Sequence, residues 1–115
     1  MASKEQILRR NFSEDFVQKM RNRIVTSHYK YGWMEDTYPE LADAIASLEE
    51  RLELFKKTGN TEHLVDVANF AMIEFMFPRH PNAHFVGTDS DKSPGLVGIS
   101  YKQMVEEMGE EYKGL

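Results

Sequence analysis

Carboxylates are the residues of this chain whose types and spacing could do chemistry, and they concentrate between positions 49 and 66. Glu49-Glu50-Arg51-Leu52-Glu53 places three acids in one short run, and Glu62-His63-Leu64-Val65-Asp66 follows soon after. At ~100° per residue on a helical wheel, Glu62, Asp66, Asn69 and Ile73 fall on a single line, with Glu74 off to one side. On the preceding segment Ala42, Ala46, Glu49 and Glu53 share a flank, and Glu50 points further out. Facing carboxylates repel, and burying them unpaired is expensive. A hard divalent cation, Mg²⁺ or Mn²⁺, resolves both problems because it prefers oxygen ligands and keeps waters for a phosphate substrate. Asp66 stands out, since a mid-helix aspartate among apolar neighbours has poor propensity. The plainer alternatives are a solvated acidic face, with Arg51, Lys56 and Lys57 beside Glu49, Glu50 and Glu53, and a Glu62 that favours the positive end of its helix dipole.

The elements that must position these side chains are helices. Residues 39–57 carry Leu41, Ile45, Leu48, Leu52 and Phe55 in steps of four and three, with Pro39 suited to the first helical position. Thr58-Gly59-Asn60 is a stop, and Thr61 is a suitable N-cap for a helix over 61–77. That second segment is apolar on most sides, which predicts the buried centre of a bundle. Two antiparallel helices with so short a connection pack side by side, so Glu53 and Glu62 start close together and Asp66 and Glu49 lie a turn further along. Upstream, 4–11 reads as a short helix or arm. Ser13 can cap a helix over 14–29 that bears Phe16, Val17, Met20, Ile24 and His28 and ends at Tyr31-Gly32-Trp33. Pro78 and Pro81 stop the apolar helix. Residues 78–98 read as a long loop, and Ser100 with Gln103 forms a capping box for a last amphipathic helix. With no strand alternation, the predicted fold is all-α, a bundle of about four helices in a single domain spanning 1–115.

Bulk properties narrow the function class. The chain has 115 residues, no cysteine, 41% hydrophobic and 29% charged residues, and a net charge of −5. One ordered domain without disulfides or thiolate metal sites fits these values, and a cytoplasmic location is expected. No apolar run approaches the ~20 residues of a membrane span, so no membrane partner is expected. The acidic balance makes nucleic acid an unlikely partner, although Lys19, Arg21, Arg23, His28 and Lys30 form a local basic stretch that is either a solvated helix face or a small phosphate patch.

The two acidic runs, EExxE over 49–53 and ExxxD over 62–66, resemble the all-α nucleoside triphosphate pyrophosphohydrolases. This is the MazG-like group that includes dimeric dUTPases, with ExxE on one helix and ExxD on the next. The resemblance covers residues 39–77. The segments Lys30-Tyr31-Gly32 and Asp66-Val67-Ala68-Asn69-Phe70 are similar to small phage-encoded proteins related to that group. It implies Mg²⁺ bound by Glu49 or Glu50 with Glu53, Glu62 and Asp66, the last of these and Glu53 being the foremost catalytic candidates. It also implies a nucleoside triphosphate substrate cleaved to release pyrophosphate, and a homodimer or homotetramer that completes the bundle. The literal pattern selects Glu50 and Glu53 as the first pair, whereas the wheel selects Glu49 and Glu53. In the second run His63 stands where the group's glutamate is expected, and Glu62 must substitute for it. Asn69, Lys30, Arg21 and Arg79 are the candidate substrate contacts. The competing expectation is a non-catalytic helical interaction protein of the same fold, its acidic line paired with arginine or lysine. Two further patterns are set aside: His80 and His84 flank Pro81, which disfavours a helical zinc pair, and Asp89 to Gly95 departs from a calcium loop at its glycine and its final acid.

Overall fold

A computed structural model of the chain describes residues 1–88, and these are helical as expected. The helices are α1 (Lys4–Asn11), α2 (Glu14–Tyr31), α3 (Ala44–Thr58) and α4 (Glu62–Met76), with a short 3₁₀ turn at Met34–Asp36. The described residues contain no strand. The capping box of Ser100 and the segment from Asp89 to Gly95 lie outside the described residues. Glu14–Ala83 forms one compact unit, and Met1–Ser13 belongs to another together with residues 84–88. In that other unit α1 opens on a reciprocal cap: the Gln6 amide donates to the Ser3 hydroxyl, and the Ser3 amide donates to the Gln6 side chain.

The unit Glu14–Ala83 is built around the α3–α4 hairpin, which supplies most of its helix contact. Gly59 makes the hairpin possible. It follows α3 with φ of 72°, a left-handed conformation that costs glycine little, and its amide caps the Phe55 carbonyl. Asn60 then accepts from the Glu62 amide, satisfying one orphan donor of α4. Thr61 occupies the cap position of α4, but its side chain makes no capping bond. The neighbouring asparagine has taken that role.

The sequence places the start of α3 too early. The helix begins at Ala44, capped by Asp43, whose carboxylate accepts from the Ala46 amide. Pro39, expected as a first helical residue, sits instead in a turn after a cis Tyr38–Pro39 bond. Leu41 therefore leaves the apolar stripe and is 82% exposed, and Ala42 drops off the helical flank. A strong N-cap four residues downstream has overridden a proline that merely tolerates helix starts.

The central position expected of α4 holds on one side. Val65, Asp66, Asn69 and Ile73 of α4 are buried, and Ala44 of α3 closes the apolar core beside them. On the other side Ala71, Phe75 and Met76 are exposed. α2 runs antiparallel to α4, because Arg23 meets Asp66 while Met20 meets Asn69. α2 itself has no fully buried residue.

Candidate functional site

The line predicted from the wheel exists. Asp66 and Asn69 are the two buried polar residues among those described, at 8% and 5% exposure, one turn apart on the core side of α4. Their surroundings are set by two arginines. Arg23 of α2 forms a fork on Asp66, with Nε donating to Oδ1 at 3.0 Å and Nη2 to Oδ2 at 3.1 Å. Its third nitrogen, Nη1, lies 3.3 Å from Glu62 Oε1. Arg51 of α3 also approaches this carboxylate, with Nε 3.5 Å from Asp66 Oδ2. Asp66 is thus the point at which α2, α3 and α4 are tied together by charge.

This geometry is energetically coherent. A buried aspartate needs compensation for its lost hydration, and a bidentate guanidinium supplies both charge and directed donors. The effect is mutual: the hydrogen bond to Asp66, and then the Coulombic pull of Asp66 and Glu62, outweigh desolvation and hold the Arg23 pKa above its ordinary value. The pair is not sealed, since the Arg23 side chain is 42% exposed. Among the described residues two buried side-chain polar atoms have no hydrogen-bond partner, Asn69 Oδ1 and His63 Nδ1. Asn69 nonetheless holds its place by donating from Nδ2 to the Met20 carbonyl at 3.2 Å.

The remaining acids are disposed differently. Glu50 is exposed and lies 3.4 Å from Arg51. Glu53 is exposed and bonds Lys56 at 3.0 Å, one turn along its own helix. Glu49 is also on the exposed side of α3. The structure thus brings together Glu62 and Asp66 on one guanidinium, and leaves Glu49, Glu50 and Glu53 on a solvated face. Glu74 serves the chain that follows α4, accepting from the amides of Arg79 and His80.

The residues do not fit a divalent cation in this arrangement. Both oxygens of Asp66 are taken by guanidinium donors, and the α3 acids turn away toward solvent and their own lysine and arginine. Among the described residues no group of three or more acids and histidines is placed to hold a metal ion. The candidate substrate contacts are spread as well. Lys30 is exposed in the last turn of α2, toward the N-terminal end of α4. Arg79 lies beyond the C-terminal end of α4, where it pairs with Asp43 at 3.5 Å. Those ends are about 22 Å apart for a helix of this length. Arg21 is exposed on α2. His80 does not pair with His84 across a helix turn, because its Nδ1 accepts from the Asn82 amide within a turn.

Sequence reasoning missed the role of Arg23. It stands within the basic stretch of α2, yet it falls seven residues after Phe16 and three after Met20. That spacing puts a lone cation on the apolar stripe, which is the same signal that singled out Asp66. An aromatic contact lies at the end of α2, where the ring centroids of His28 and Trp33 are 4.4 Å apart, Trp33 standing just past Gly32. Among the described residues no helix is long and apolar enough to cross a membrane. Comparison of the chain with protein-family models, curated proteins and solved structures finds no match.

Proposed function

We propose that this protein is a non-catalytic helical interaction protein whose acidic line is structural. The observation that carries this reading is that Asp66, the most favoured candidate for metal binding, directs both of its oxygens at arginines from two other helices. The binding surface we assign lies at the end of the hairpin away from Gly59. There Leu41 is 82%, Ile45 41%, Phe75 73% and Met76 53% exposed, on chain segments that the antiparallel hairpin brings to the same end. Exposed apolar side chains at one end of a hairpin favour burial against a partner, and a second copy of the chain is the partner we favour.

A second reading keeps a specific observation in its support. Glu62 and Asp66 both face the Arg23 guanidinium, so an alternative state without Arg23 in that position would leave two carboxylates facing a common point. This is the basis for a Mg²⁺- or Mn²⁺-dependent nucleoside triphosphate pyrophosphohydrolase. Thermal melts with and without Mg²⁺ or Mn²⁺ separate the two. The structural reading expects an unchanged midpoint. A metal site at a hundredfold excess over its dissociation constant adds about 2.7 kcal/mol, a shift of roughly 10 °C or more for a domain of this size. A screen of nucleoside triphosphates for pyrophosphate release completes the test, and turnover that Asp66→Asn abolishes would replace the first reading with the second.

A further inference from the structure

α2 joins its unit in a different way from α3 and α4. None of its 18 residues is fully buried, and Phe16, Val17, Met20 and Ile24 are only half-buried. Its specific attachments to α4 are polar: the Arg23 fork on Asp66, the Arg23 bond to Glu62, and the Asn69 bond to the Met20 carbonyl. The hairpin, by contrast, is closed covalently by the Gly59–Asn60 turn and contains Ala44, Val65 and Ile73, the buried apolar core of the described residues.

From this contrast we infer that α2 is a latched helix: the Arg23 fork on Asp66 and Glu62 holds it to the α3–α4 hairpin, and it undocks as a unit while the hairpin keeps its structure. The inference rests on the ion-pair geometry and stands whichever use the acidic line has. Undocking uncovers the Glu62–Asp66–Asn69 line of α4, including the Asn69 Oδ1 that has no partner in the docked state. The contact is suited to a latch because half of it is wet. Arg23 and Glu62 have side-chain exposures of 42% and 54%, so salt screens their attraction, while Asp66 at 11% gives the docked state its specificity. An isolated helix of 18 residues is marginal in water. Once undocked, α2 therefore loses amide protection along its length.

Amide hydrogen exchange on the full chain reads this directly. In Arg23→Gln, amides of α2 should exchange at least tenfold faster than in the wild type, with those of α3 and α4 changing less than twofold. Lys19→Gln breaks the 2.6 Å Lys19–Asp15 pair internal to α2 and should leave α2 protection within twofold, which separates loss of the latch from loss of helix propensity. Should Arg23→Gln fail to fold, the wild type in 1 M NaCl against 50 mM provides the same comparison, with α2 protection falling ahead of the hairpin. Protection lost equally from α2, α3 and α4 in either arm, or unchanged in α2 in both, would overturn the proposal.

Discussion

At the scale of single residues, the chemistry of this chain is a question of which partner a carboxylate finds first. Asp66 and Glu53 illustrate the two outcomes. Asp66 is buried and forked by a guanidinium, whereas Glu53 is exposed and reaches an amino group on its own helix. Exposed pairs contribute roughly 0.2–1 kcal/mol, because water screens them and the long side chains lose freedom. A partly buried bidentate pair couples more strongly. A double-mutant cycle on Arg23 and Asp66, followed by urea unfolding, should return about 1–3 kcal/mol, against less than about 0.5 kcal/mol for Lys56 and Glu53. Equal coupling in the two cycles would remove the special standing of Asp66. The importance of Asp66 was legible in the sequence, since an aspartate amid apolar neighbours needs a reason. The identity of its partner was not, because Arg23 is 43 residues away and only packing brings the two together.

Elements are governed here by their ends. α3 starts where Asp43 can cap it rather than where Pro39 permits, and the cost of that choice is an exposed Leu41. The hairpin turn depends on Gly59, whose φ of 72° strains any residue with a Cβ. An added Cβ there would meet nothing within 4 Å, so the penalty is conformational alone. Gly59→Ala should destabilise the protein by about 1 kcal/mol in thermal unfolding. Gly87 also has open space but no left-handed φ, and Gly87→Ala should be neutral or slightly stabilising. A Gly59→Ala change as mild as that at Gly87 would mean that the turn does not set the register of α3 against α4. The glycine stop itself was readable from Thr58-Gly59-Asn60. The sequence points to Thr61 as the cap of α4, but asparagine and threonine both accept from helix amides, and the backbone path puts Asn60 in reach instead.

For the molecule as a whole, Tyr38 offers a view of stability that does not depend on the charge cluster. It lies in the connection that carries the chain from α2 to the start of α3, and burial pushes its phenol pKa up. A pKa raised in the folded state means that the folded chain holds this proton more tightly than the unfolded chain. The resulting stability is fully present below the unfolded value of about 10 and is lost as pH rises through the folded value. Denaturation midpoints should therefore fall with pH above about 10, and Tyr38→Phe should reduce that fall while leaving neutral-pH behaviour intact. An alkaline profile identical in the wild type and Tyr38→Phe would place the ionising group elsewhere.

By itself the sequence determined that the described residues are helical, that a short turn follows Thr58, and that α4 carries a polar line of Glu62, Asp66 and Asn69 on an apolar helix. These are local properties: periodicity, capping and glycine conformation act within a few residues of chain. It also narrowed the use of that line to two possibilities, a cation or a set of basic side chains. Tertiary structure decides what stands opposite Asp66 in this fold: docking α2 antiparallel to α4 delivers Arg23 to both of its oxygens, and the α3 register delivers Arg51 to one of them. A helical wheel gives the direction in which a carboxylate faces. What stands opposite it depends on which helices pack there and in which direction they run, and that is a property of the assembled bundle.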